Sequence, residues 1–298
     1  MIKKLSLYTF ALLATIVIFS SCKKDYQTVQ TMDETTLTDF FKKNNINAIP
    51  DDAKTGYYYV LNQPAGTPAG EAYKLTDSVR YSITLTGFST GTAYETTPAL
   101  RNEGQRVGSP FGFFGKAIPA ISEVLNKLQP GGSTKIYLPS YLAFGKNGFP
   151  AVNIPSNEIM VVSITTYKES QKDLDDAHIN TYLTANAITA VKDPSGVYLQ
   201  TITAGTGTDP ITLISLVNFS YTLKTLDGGV NEASTMTVAP KGLIPAFRIM
   251  MPKFTKGSKV RMFIPSFLGY GSAATAGTPP IPANSCLDYT VEVLAVTP

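Results

Sequence analysis

Few residues in this chain are equipped for chemistry. There is one histidine, His178, and there are two cysteines, Cys22 and Cys286. A structural zinc site takes four Cys or His ligands at characteristic spacing, and no Cys/His cluster of that kind stands in the sequence. A serine nucleophile needs a base, and only His178 is available; no Gly-x-Ser-x-Gly surrounds a serine. No Gly-rich loop closed by Lys-Ser or Lys-Thr is present to cradle a phosphate. His178 falls in a helical stretch and reads as a solvated helix residue. Cys286 falls on a strand and reads as a small packing residue. No metal and no cofactor is expected. A catalyst made from these residues has to work by burial, aromatic walls and one or two hydrogen-bond donors. The chain has 16 Tyr and 15 Phe from which to build such walls.

These aromatics sit in a pattern that occurs twice. Residues 260–296 read as strand, loop and strand. Met262, Phe263 and Ile264 form an apolar run that Pro265 ends. A Gly- and Pro-rich tip spans 271–282. Then Leu287, Tyr289, Val291 and Val293 alternate with more polar neighbours, the period of a half-buried strand. Residues 134–167 repeat this stretch. Upstream, Ile46 and Ile188 stand 142 residues apart in matching segments. Val79, Tyr81, Ile83 and Leu85 match Val217, Phe219, Tyr221 and Leu223 at a separation of 138. Glu95 matches Glu232 at 137 and Ile118 matches Ile244 at 126, so the second copy is 11 residues shorter between those pairs. The difference falls in a loop region, where length change costs little.

Two repeats of this length are tandem domains. The first reads as a helix at 36–45, strands at 56–61 and 78–85, a polar loop at 100–110, a short helix at 119–128 and the strand-loop-strand. Pro119 sits in the first turn of that short helix. The fold class is α+β: two domains, each a curved antiparallel sheet with a short helix packed across it. The expected boundaries are a tether at 22–35, a first domain at 36–167, a charged linker at 168–173 and a second domain at 174–298.

Ile264-Pro265-Ser266-Phe267-Leu268-Gly269-Tyr270-Gly271 is followed by Ile281-Pro282-Ala283-Asn284. Leu138-Pro139-Ser140-Tyr141-Leu142-Ala143-Phe144-Gly145 is followed by Ile154-Pro155-Ser156-Asn157. Both resemble the closing motif of the FKBP-type peptidyl-prolyl isomerase domain. The resemblance implies two tandem FKBP-like domains and an activity that needs neither nucleophile nor metal. Rotation about the X–Pro C–N bond faces a barrier of ~18–20 kcal/mol, and takes tens to hundreds of seconds uncatalysed.

The resemblance also implies site residues. In the second copy, Phe219 stands where the family has a strand Tyr. The family's Phe-Asp pair falls on Asn231 and Glu232, and its Val-Ile on Leu243 and Ile244. Phe247 replaces the floor Trp. Tyr270 keeps the rim hydroxyl, Ile281 the backbone N–H that bonds the carbonyl before proline, and Tyr289 replaces the wall Phe. In the first copy Tyr81 is kept, Tyr94 and Glu95 replace Phe-Asp, and Phe111 or Phe113 supplies the next aromatic. Ile118 is kept, Ile121 replaces the floor Trp, Phe144 loses the rim hydroxyl, Ile154 is kept and Val162 replaces the wall Phe. Glu95, Glu232 and Phe144 are departures. On this pattern the second pocket is the better equipped.

The N-terminus reads as a signal. Lys3 and Lys4 precede an apolar run of 15 residues at 5–19, too short for a membrane span. Ser20, Ser21 and Cys22 follow, which resembles a bacterial lipoprotein signal, with 1–21 removed and Cys22 acylated. Losing Lys3 and Lys4 lowers the formal charge from +3 to +1, which does not steer the protein to nucleic acid. The expected partners are proline-containing unfolded or extended polypeptides, and a membrane through the lipid anchor. The expected place is the bacterial cell envelope, on the outer membrane, facing the periplasm or the surface. Three readings follow: an envelope prolyl isomerase assisting exported proteins, a catalytically degenerate peptide-binding chaperone, and a structural lipoprotein.

Overall fold

The computed structural model describes residues 28–64 and 71–298; the expected signal peptide and Cys22 lie outside them. The first unit runs α1 (Val29–Lys43), β1 (Ile49–Pro50), β2 (Tyr58–Asn62), β3 (Ser78–Gly87), β4 (Ala93–Thr96), β5 (Glu103–Arg106), β6 (Gly112–Phe113), β7 (Lys116–Ala117), α2 (Pro119–Leu125), β8 (Ser133–Leu138) and β9 (Met160–Tyr167). The second runs α3 (Gln171–Ala185), β10 (Val191–Lys192), β11 (Tyr198–Thr203), β12 (Leu216–Thr225), β13 (Asn231–Val238), α4 (Pro245–Met250), β14 (Lys259–Ile264) and β15 (Leu287–Thr297). The first sheet has the order β1-β2-β8-β9-β3-β4, with β5 also on β3. The second has the order β10-β11-β14-β15-β12-β13, the same path strand for strand. Every named pairing is antiparallel.

Alternation along the strands dictates the layers. In β8, Ile136 and Leu138 face the short helix α2, whose Ala120, Ile121, Val124 and Leu125 join the same core. Tyr137, between them, faces the other way and meets Leu37 and Phe41 of α1. The second unit repeats this division. Met262 and Ile264 of β14 share a core with Ala246, Phe247 and Met250 of α4. Phe263 meets Ile179 and Leu183 of α3 on the opposite face. Each sheet is therefore covered on both faces: the short helix expected across one, and the longer N-terminal helix across the other.

Two boundaries differ from the sequence reading. The helix α1 begins at Val29, so residues 29–35 belong to the fold and not to a tether. Thr28 caps it by accepting from Thr31 N–H, and Asp33 within it is buried. The linker is also shorter. Ser170 caps α3 and Gln171–Asp173 are its first turn, which leaves two residues, Lys168 and Glu169, after β9. The Arg80 guanidinium holds the Glu169 carbonyl at 3.0 Å.

The 11 extra residues of the first unit divide into two features. Register places Leu85 opposite Glu95 and Tyr81 opposite Glu103. In the second unit the corresponding pairs are Leu223 with Glu232 and Phe219 with Met236. Eight residues separate the partners in the first unit and four in the second, so four extra residues bulge out between β4 and β5. The remaining seven supply the β6–β7 hairpin. Residues 100–110, expected to be a loop, thus contain β5.

One interaction is repeated atom for atom. Ser140, just after β8, donates its N–H and Oγ–H to Asp33 Oδ2 at 2.8 and 2.7 Å. Ser266, just after β14, donates both to Asp175 Oδ2 at 2.8 and 2.7 Å. Asp33→Ala leaves two buried donors unpaired, and unfolding by urea is expected to show a loss of about 1–3 kcal/mol. Asp33→Asn, which keeps an acceptor, loses less. An unchanged stability for Asp33→Ala would mean that residues 29–35 are not part of the fold.

Candidate active site

The second unit encloses an apolar cavity of about 90 Å³ lined by Phe219, Tyr221, Met236, Leu243, Ile244, Phe247, Tyr270 and Tyr289. Phe219 and Tyr221 are two apart on β12 and so share a face. Met236 enters because β13 pairs it with Phe219. Ile244 precedes α4, and Pro245 at the helix start turns Phe247 into the floor. Tyr289 on β15 forms the wall and Tyr270 the rim. The rings form a chain. Phe219 meets Phe247 at 5.7 Å between centroids, and Phe247 meets the Tyr289 ring edge-on at 5.0 Å. Tyr289 meets Tyr221 at 5.7 Å. Phe219, Phe247 and Tyr289 are at most 6% exposed, whereas Tyr270 is 39% exposed. The floor is buried and the rim is open.

Three hydroxyls border the cavity. Tyr270 and Tyr289 share a hydrogen bond of 3.4 Å. Tyr221 donates to Glu232 Oε1 at 2.5 Å. Burial, and then the bond from Tyr270, push the Tyr289 hydroxyl far above the ordinary tyrosine range. Burial, with the Glu232 carboxylate, pushes Tyr221 up to about 12. Both stay protonated at neutral pH. The volume is far below the ~300–1,000 Å³ of drug-sized sites, and suits one ring or side chain.

The first unit builds a different site from the corresponding positions. Tyr81 and Phe111 pack at 5.5 Å between centroids, and Ile118, Ile121, Ile154 and Val162 are buried in the same core. Phe144, at the rim, is covered. Phe149 from the tip packs on it at 5.8 Å, and Phe114 from the β6–β7 hairpin stacks on Phe149 at 5.3 Å with rings 11° from parallel. Phe114 and Gly115 both have positive φ, the signature of a two-residue type I′ turn. A bulky residue is strained in that conformation; here the ring it carries packs on both Phe144 and Phe149. A cavity of about 300 Å³ survives beside it, bordered by Tyr81, Glu95, Thr97, Glu103 and Phe111. Tyr94 is half-buried against the core and its hydroxyl meets Thr90 Oγ1 at 3.3 Å.

The family model for FKBP-type peptidyl-prolyl cis-trans isomerases matches residues 210–294, the span that holds all eight lining residues of the second pocket. The second unit is an FKBP-type domain. The chain is 33% identical over 108 residues to the FKBP-type peptidyl-prolyl cis-trans isomerase FkpA of Escherichia coli K12, covering 35% of this chain and 39% of that protein. It is 36% identical over 121 residues to FkpA of Aeromonas hydrophila, covering 39% of this chain and 44% of that one. The chain thus spans less than half the length of these relatives. The crystal structure of FkpA from Escherichia coli aligns at 27% identity and a TM-score of 0.37, over 42% of this chain and 60% of that one. The first unit has the same strand order as the second.

In this FKBP-type domain, the structure brings Phe219, Ile244, Phe247, Tyr270 and Tyr289 together as the sequence predicts. Two expected members do not line the cavity. Glu232 is exposed on β13 and acts at one remove, holding Tyr221. Ile281 is buried in the core, and its N–H already donates to Thr275 Oγ1 at 2.9 Å. The amide expected to receive a substrate carbonyl is therefore occupied. The first unit repeats this: Ile154 N–H donates to the Phe149 carbonyl at 3.1 Å. Tyr221 and Met236 were missed. Tyr221 stood in the alternating run beside Phe219; Met236 was hidden by the length difference between the copies.

His178 and Cys286 are not the isolated residues they look in sequence. With Asp175 they form a group whose ligand atoms all lie within 4.8 Å of one another. The Asp175 carboxylate already accepts from Ser266 twice and from Gln171 Nε2 at 2.8 Å, so it serves the fold. The first unit keeps that aspartate but has Thr36 and Ile159 in place of the pair. His178 is half-buried rather than solvated, and its Nδ1 is buried without a partner.

Burial lowers the His178 pKa from its ordinary 6.5, against the opposing charge of Asp175. Below pH 6.5 the unfolded chain takes up this proton before the folded chain does, so stability falls as pH drops through that window. His178→Gln is expected to lose less stability than wild type between pH 7 and pH 5, read by urea unfolding at both. An equal loss in the two proteins removes His178 as the cause.

Proposed function

We propose that the protein is a peptidyl-prolyl cis-trans isomerase whose turnover resides in the second unit. The observation that carries this is the buried aromatic floor of Phe219, Phe247 and Tyr289 beneath the exposed Tyr270. A proline ring seated on that floor leaves water. Its amide then loses the solvent that favours the planar, polarised form, and twisting becomes easier. The Tyr270 hydroxyl, shared with Tyr289, can turn to the substrate carbonyl as conjugation breaks. No bond is made or broken, so neither base nor nucleophile is needed. The first unit, its rim covered by Phe114 and Phe149, contributes little turnover. The substrates we assign are proline-containing unfolded segments of exported proteins, and the place is the cell envelope, through acylation of Cys22. One observation favours a second reading, peptide binding without turnover: the Ile281 N–H is taken by Thr275.

The full chain is expected to accelerate cis-trans exchange of proline tetrapeptides in a protease-coupled assay. Losing a rim hydrogen bond of about 1 kcal/mol should slow Tyr270→Phe roughly five-fold. Phe247→Leu should lose more, since it breaks the ring chain at the floor. No acceleration by the wild-type chain, with suppressed aggregation of an unfolded client, would replace the enzyme by the binding reading. Mass spectrometry of the mature N-terminus tests the anchor: a diacylated or triacylated Cys22 is expected, and any other first residue removes it.

A further inference from the structure

The four-residue bulge between β4 and β5 of the first unit lies against the second unit. Leu100 packs on the cluster of Ile179, Leu226, Phe263 and Cys286. Arg101 holds its own Glu103 at 2.9 Å and Asp227 of the second unit at 3.2 Å; the Arg101 and Asp227 side chains are 14% and 5% exposed. Asn102 is wholly buried and exchanges two hydrogen bonds with Gln171, at 3.0 and 2.8 Å. Its carbonyl accepts from Asn284 Nδ2 at 3.3 Å. Gly104 leaves the room for that amide: a Cβ there would stand 3.2 Å from Asn284 Nδ2.

Two routes lead from Asn102 to the segment that carries Tyr270. Along the first, Asn284 N–H donates to the Gly271 carbonyl at 2.9 Å, next to Tyr270. Along the second, Gln171 holds Asp175 Oδ1, and Asp175 Oδ2 holds Ser266. Gly271 N–H donates back to the Ser266 carbonyl at 2.8 Å, so the two routes close. The first unit has the inner part of this arrangement, with Asn157 N–H on the Gly145 carbonyl at 2.9 Å, but the side chain of Asn157 is exposed.

We propose that Arg101 and Asn102 are positioning residues for the second unit's pocket: the first unit's bulge fixes Tyr270, and a unit whose own pocket is covered is retained to do so. This rests on the isomerase reading for its kinetic consequence, but the ordering of the rim is measurable without it.

The test uses the full chain. Asn284→Gly removes the amide while suiting the left-handed backbone there, φ +57°. Arg101→Asp sets two like charges against each other at Asp227, and Arg101→Asp with Asp227→Arg restores an opposite pair. Hydrogen exchange at residues 266–286 is expected to quicken in both single variants, with kcat/KM falling roughly five-fold as for one lost hydrogen bond. The charge-swapped pair should recover both. Lowered thermal stability with unchanged exchange at 266–286 and unchanged kcat/KM would overturn the proposal. If wild type does not isomerise, the isomerase reading fails, and exchange alone decides: quickened supports positioning, unchanged overturns it.

Discussion

A carboxylate on the first helix of each unit holds the chain where it leaves the sheet for its binding tip. Asp33 and Asp175 are 6% and 0% exposed. Burying a charge is costly unless it is hydrogen-bonded. The direction of the Asp175 pKa shows the balance: burial raises it, and the donations from Gln171 and Ser266 pull against that rise. The arrangement holds because the donors are themselves buried and need an acceptor. Removing either side leaves the other unpaired. The helix on one face of the sheet is in this way tied to the tip on the other, and the rim residue four positions after the serine, Phe144 or Tyr270, takes its place from that tie.

From this shared frame the two units diverge by insertion at one edge. In the second unit β13 runs unbroken along β12, and its Met236 closes the cavity beside Phe219. In the first, the same edge is interrupted. Its bulge reaches the second unit, and its hairpin lays Phe114 over its own rim. The hairpin thus covers the rim of one pocket, and the bulge reaches the unit that carries the other. The frame tolerates this because both features lie outside the β1-β2-β8-β9-β3 path that carries the core.

The repeat was legible because strand alternation survives substitution: Tyr81 and Phe219 differ, yet both keep their side of the sheet. The start of α1 was not legible. Its buried stripe is Asp33, Leu37 and Phe41, four residues apart each time, and a charge at the first place breaks the apolar pattern. The second copy carries the same stripe as Asp175, Ile179 and Leu183. The two aspartates hold equivalent places in the two stripes. The ring floor was readable from residue types, since aromatics at alternating positions need a common face. The occupied amide of Ile281 was not, because it depends on Thr275 folding back across a Pro-rich tip. Nor was the meeting of His178 with Cys286, which are 108 residues apart and joined only by α3 lying over β14.

The rim shows how a pocket whose lining includes no carboxylate or imidazole can still respond to charge. Glu232 stands outside, exposed, yet accepts from Tyr221, whose ring packs on Tyr289, whose hydroxyl meets Tyr270. Burial first, and then the Glu232 carboxylate, raise the proton affinity of the Tyr221 hydroxyl; at Tyr289 burial leads and the carboxylate contributes least. The two hydroxyls remain neutral at a buried floor, where a hydrogen bond is stronger than in solvent. Glu232 lies outside the cavity lining, and Tyr221 stands between its carboxylate and the cavity. The Tyr270 hydroxyl, exposed at the rim, is thus joined to the Glu232 carboxylate only through the neutral rings and hydroxyls of Tyr289 and Tyr221.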